Sequence, residues 1–189
     1  MDTNAVVTTI SGVASAKKLA RLSVFGGLAI AVSVLESLVP QPLPWARIGF
    51  ANIVILIALY LDGTLAAIAV GVLKVLGGSL VMGSGFSPAF WLALSGTAAS
   101  LIVMIPLVHL PRWFSPIGVA IVGAAAFNTA QLFMAGMILV GIPNLFALLP
   151  IMLIISVFTG AIIGWLAGWI LHRLARSGIY NSGWYNAHL

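Results

Sequence analysis

Apolar residues fill six long stretches of this sequence, and prolines, glycines and a few charged residues break the chain between them. The first run is Leu22–Val39, preceded by Lys17, Lys18 and Arg21 and by a polar, small and weakly patterned segment, residues 1–16. Prolines lack an N–H and disfavour helix in the residue before them, so Pro40-Gln41-Pro42-Leu43-Pro44 predicts a rigid turn or re-entrant stretch. Ile48–Leu61 predicts a second, short span, ended by a turn at Asp62-Gly63. A third run covers Thr64–Met82, the breaker Gly83–Pro88 follows, and a fourth run extends from about Trp91 to Leu110. The loop His109–Pro116 sets Arg112 beside Trp113 and Phe114, the composition of a membrane interface. Ile117–Val140 predicts the fifth span, Gly141–Asn144 a turn, and Leu145–Leu171 the sixth, before His172, Arg173 and Arg176. Runs of about 20 apolar residues match the thickness of a bilayer. The pattern therefore predicts an all-α membrane protein, a six-transmembrane-helix bundle over residues 17–176, with a flexible or interfacial tail over 177–189. The first run reads as a retained span and not a signal peptide, because it contains Glu36 and leads into prolines instead of a small-residue cleavage site.

Composition agrees. The 189 residues are 62% hydrophobic and 6% charged, with a mean hydropathy of +1.20. Soluble chains carry roughly 25% charged residues because their surface must meet water, so most of this surface is expected to meet an apolar solvent. Six spans leave no room for a separate catalytic domain, and the absence of cysteine excludes disulfides and thiolate metal sites. The net charge of +5 bears on orientation and not on nucleic acid. Lys17, Lys18, Arg21, Arg112, Arg173 and Arg176 fall on one side of the six-span arrangement, and Arg47 falls on the other. The basic side is expected to be cytoplasmic, with both termini.

The polar residues inside the spans carry the functional signal. A Lys or Arg at bilayer depth costs about 2.5–3.5 kcal/mol on insertion scales, so such a group marks a candidate site. Lys74 lies ten residues beyond Thr64, about 15 Å from the basic face and near the midplane. Glu36 stands near the far end of the first span, Arg47 opens the second, and Asn52 follows one turn later. Asn128 and Gln131, three positions apart on the fifth span, share a helix face. All six residues fall at the midplane or beyond it, which predicts a pocket open to the outside for an anionic or strongly polar small molecule. The competing use is structural: Glu36 pairing with Lys74 or Arg47, and interhelical hydrogen bonds from Asn128 and Gln131. Small-residue stripes form a second signal, Ser23, Gly27 and Ala31 on the first span and Gly160, Gly164 and Gly168 on the sixth. They permit close helix contact, within the bundle or, for the first stripe, with a partner.

Several chemistries lack their residues. There is no P-loop, so ATP enters only through partner subunits. Asp2, Glu36 and Asp62 are the only acids and are far apart, which disfavours a Mg²⁺-binding carboxylate cluster. His109, His172 and His188 show no ligand spacing, and no serine has a His and acid partner at its depth. No cofactor, metal or catalytic residue is expected.

The string Glu36-Ser37-Leu38-Val39-Pro40-Gln41-Pro42-Leu43-Pro44, with Arg47-Ile48-Gly49-Phe50-Ala51-Asn52-Ile53-Val54 and Leu59-Tyr60, resembles the Gx transporter family, often labelled heptaprenyl diphosphate synthase component I. The resemblance continues through Lys74-Val75-Leu76, where the family often has Arg-Val-Leu, and Gly118–Gln131, covering about Leu19 to Leu174. Phe127 stands where that family tends to show a histidine. The family is similar to the substrate-binding S-components of energy-coupling factor transporters. That likeness implies a six-helix bundle that captures a vitamin-like compound or cofactor precursor and works with a transmembrane coupling subunit and two ATPases. It also implies that Ser23, Gly27 and Ala31 meet the coupling subunit. The alternatives are a membrane accessory subunit of isoprenoid or quinone biosynthesis and a structural subunit of a larger membrane complex.

Overall fold

The computed structural model describes residues 3–39, 49–110, 114–140 and 146–177. These form six α-helices, and there is no strand among the described residues: α1 Thr3–Leu38, α2 Asn52–Asp62, α3 Thr64–Val81, α4 Pro88–His109, α5 Pro116–Ala135 and α6 Leu149–Arg176. Five stretches are long and apolar enough to cross a membrane: Ala16–Leu38, Thr64–Val81, Pro88–His109, Pro116–Ile138, which continues past α5, and Leu149–Arg176. The chain is a helical membrane protein.

Local chemistry sets the boundaries. Pro88 and Pro116 occupy the first turns of α4 and α5, where their missing N–H costs nothing. Ser115 caps α5 by accepting from the Gly118 N–H at 3.2 Å. The expected second span is shorter than its apolar run. Gly49 has φ +84, outside helical geometry, and tight i to i−3 bonds from Asn52, Ile53 and Val54 then start α2. Its eleven residues extend about 16 Å, half the roughly 30 Å hydrocarbon thickness. The expected fifth span is helical to Ala135 and widens into a π turn over Gly136–Val140. A 3₁₀ turn, Phe146–Leu148, precedes α6, which continues five residues past Leu171 to Arg176. At the other end of the chain, α1 extends back to Thr3 as 36 helical residues, about 54 Å and longer than a bilayer needs. The proline-rich stretch 40–44, the turn 141–144 and the tail 178–189 lie outside the described residues.

The helices pack around α2. Nine of its eleven residues are buried, and Val54–Leu61 form the main core with Ala67 and Val70 of α3, Leu101 and Met104 of α4, Val119 of α5 and Ile163 and Leu171 of α6. α3 packs on α1, α2 and α4, while α5 lies between α4 and α6. Close approaches depend on glycine: a Cβ on Gly26 would stand 2.6 Å from Leu73 Cδ1, and Gly77 faces Ile30 in the same way. Because α2 fills only half the depth, its first residue, Asn52, lies inside the bundle.

Candidate functional site

α2 and α3 diverge from one turn at Gly63, so residues equally far from that turn lie at one depth. Asn52 and Lys74 are 22 residues apart with Gly63 midway, and Lys74 Nζ donates to Asn52 Oδ1 at 2.7 Å. Two further helices bring groups to the same level. Thr97 is twelve residues from the His109 end of α4, and Phe127 is eleven from the Pro116 end of α5, about 18 and 16 Å from their common face. Thr97 Oγ1 accepts from Lys74 Nζ at 3.3 Å, and the ammonium stands 5.1 Å from the Phe127 ring centroid. That distance is a cation–π contact. Lys74 is 4% exposed, and Asn52, Thr97 and Phe127 are equally buried.

Glycines shape this nest. A Cβ on Gly96 of α4 would lie 2.8 Å from two Phe127 ring atoms and 3.0 Å from Gln131 Cγ, so the missing side chain is the space the ring fills. At Gly49 a Cβ would lie 3.2 Å from Asn52 Nδ2 and 3.4 Å from the ring. The Gly49 N–H donates to Glu36 Oε1, which brings the buried carboxylate of α1 to the backbone three residues before Asn52.

Among the expected site residues, then, Asn52 and Lys74 are in contact, Glu36 is tied to them through Gly49, and Gln131 adjoins Phe127 at Gly96. Asn128 faces another way. Its Nδ2 donates to Ser156 Oγ of α6 at 2.8 Å, and Ser156 donates to the Met152 carbonyl at 2.7 Å. Three positions apart on one helix, Gln131 turns to α4 and Asn128 to α6. Arg47 lies outside the described residues. Thr97, Phe127 and Gly49 carry contacts that the polar-residue reading passed over. Counting from Gly63 in both directions is the signal that pairs Asn52 with Lys74.

The two stripes differ. Ser23, Gly27 and Ala31 are exposed along α1, with no atom near a Cβ built at Gly27. On α6 a Cβ at Gly160 would meet Ile121 Cα, and one at Gly164 would meet Ile117 Cα, each at 2.5 Å, so this stripe packs on the backbone of α5. Gly168 has nothing within 4 Å. Among the described residues no three His, Asp or Glu side chains cluster to hold a metal.

A bundle of apolar helices around a buried, cation-bearing polar nest defines a polytopic membrane protein with a charged centre. The family model for heptaprenyl diphosphate synthase component I matches residues 25–170, and the chain belongs to that family. No curated protein and no solved structure matches the chain.

Proposed function

We propose that this chain is the ligand-binding and translocating membrane subunit of an uptake system for a small anionic or strongly polar compound, of the vitamin or cofactor-precursor class. The observation that carries the reading is Lys74: an ammonium near mid-depth, donating to the neutral oxygens of Asn52 and Thr97 and facing an aromatic ring. An ammonium held at that depth by side chains of α2, α4 and α5 is the kind of group that meets an anionic or strongly polar ligand inside a membrane protein. Glu36, Arg47, Asn128 and Gln131 complete the proposed binding set. Energy comes from ATPase partners through a transmembrane coupling subunit at the exposed Ser23, Gly27 and Ala31 face, with both termini cytoplasmic in the bacterial inner membrane.

The family description favours a second reading, a membrane accessory subunit of prenyl diphosphate synthesis. The same cation would then face a diphosphate, and a partner would supply the acidic catalytic centre. Native mass spectrometry of the purified protein separates the two. A small anionic adduct retained by the wild type and lost in Lys74→Met supports the first reading, and a prenyl diphosphate adduct supports the second. Adducts of either kind that persist unchanged in Lys74→Met overturn the role given to this residue.

A further inference from the structure

A second amphipathic site lies at the opposite end of α2. Lys18, Leu19 and Leu22 of α1, with Asp62, Thr64, Leu65 and Ala66 around the start of α3, line an open cavity of about 490 Å³. Lys18 is the third residue of the span Ala16–Leu38 and Thr64 the first of Thr64–Val81, which sets the cavity at the mouth of two spans on one bilayer face. Its polar groups lie at this mouth, and its apolar walls include Leu19 and Leu65, which are 65% and 83% exposed.

Charge decides what fits there. Asp62 would repel an anion, but Arg21 Nη1 lies 3.3 Å from its Oδ1 and offsets it. Lys18 has no ion pair among the described residues, and Lys17 adds a second positive charge alongside. Thr64 of the lining is in turn hydrogen-bonded through Oγ1 to His109 of α4 at 3.1 Å. A basic mouth over apolar walls matches a molecule with an anionic head and hydrocarbon chains. We infer that this cavity holds an anionic phospholipid, its phosphate at Lys18 and its acyl chains along Leu19, Leu22 and Leu65.

The test uses the full chain in nanodiscs of equal phosphatidylglycerol and phosphatidylcholine, released for native mass spectrometry of retained lipid. The wild type should retain phosphatidylglycerol in preference by about fivefold, the effect of one lysine at a membrane surface. Lys18→Gln should abolish the preference and Lys18→Arg restore it, while Lys17→Gln, outside the cavity, keeps most of it. Ala66→Phe should displace the lipid with Lys18 intact, and melting in phosphatidylcholine alone checks that each variant folds. Equal retention of both lipids by the wild type overturns the inference. So does an equal loss in Lys17→Gln, which reduces the effect to general surface attraction, or displacement by soluble glycerol phosphate, which makes it a site for a free anion.

Discussion

The Asn52 carboxamide and the Lys74 ammonium meet at 2.7 Å because each is carried the same distance from the Gly63 turn by an antiparallel helix. The short α2 is what makes this possible. A full-length second helix would have carried its first residue to the far interface, whereas eleven residues leave Asn52 at mid-depth, beside the buried Lys74 of α3. Gly49, with its positive φ, ends the helix there and also presents its N–H to Glu36.

The proposed role of Lys74 predicts an unusual mutant. Lys74→Met removes a buried cation, which favours the fold, and takes a donor from Asn52, which costs about 1–3 kcal/mol. The two effects oppose each other, so the melting temperature should stay within about 4 °C of wild type. Binding of a co-purified anion should weaken by about 2–5 kcal/mol. Thermal unfolding and adduct retention on this one mutant check both. A large fall in melting temperature with retention unchanged assigns Lys74 to the fold alone.

Gly96 and Phe127 should be energetically coupled. Gly96→Ala places a methyl 2.8 Å from the ring, an overpacking expected to cost about 1–3 kcal/mol. Phe127→Leu removes the ring edge, so the double mutant should be less unstable than the two single losses combined, by about 0.5–3 kcal/mol. Thermal melts of the four proteins in one detergent give the coupling, and strict additivity would place the ring elsewhere.

Much of this was legible from residue order. The breakers Asp62-Gly63, Pro88 and Pro116 mark real helix boundaries, and Lys74 stood out because hydrocarbon excludes cations. Other features need the rotation of each helix about its axis, which apolar spans hide because almost every face is apolar. Thr97 reads as an ordinary small residue until α4 turns it toward Lys74, and Phe127 as one more apolar residue at a position where the resembled family tends to show histidine, until Gly96 makes room for its ring. Asn128 and Gln131 look like one pair by spacing, yet α5 lies between two helices and each residue faces a different one. The length of α2 depended on the backbone of one glycine, which the apolar run around it concealed.

Asn128 accordingly has a testable structural partner. Asn128→Ala and Ser156→Ala should show a coupling of about 0.6 kcal/mol, with about 1.7 as the upper end for membrane hydrogen bonds. Retained ligand measured on Asn128→Ala then tells the α5–α6 tie from the proposed binding set: retention intact with coupling present removes Asn128 from that set.

Orientation follows from the basic residues, and the absence of cysteine makes it simple to probe. Ser84 lies in the α3–α4 connection and Ser115 just before α5, at opposite ends of α4. With the basic face cytoplasmic, Ser84→Cys should react with an impermeant maleimide in intact cells and Ser115→Cys only after lysis. The reverse pattern inverts the topology and turns the proposed pocket toward the cytoplasm.

The two small-residue stripes should respond oppositely to one substitution. At Gly164 an added Cβ meets the Cα of Ile117, and backbone within a packed helix cannot move aside as a flexible side chain can. Gly164→Leu should therefore force α5 and α6 apart, with a loss of several kcal/mol and little folded protein in detergent. At Gly27 nothing lies within 4 Å, so Gly27→Leu should fold as the wild type does. Its effect is expected outside the bundle. If α1 meets a coupling subunit along Ser23, Gly27 and Ala31, the leucine holds the two helices apart, and co-purification with that partner should fall while ligand retention persists. Melting temperature and pull-down from the native host separate the cases. An unfolded Gly27→Leu would mean that the stripe packs inside the protein, and a folded one with every partner retained would mean that it faces only lipid.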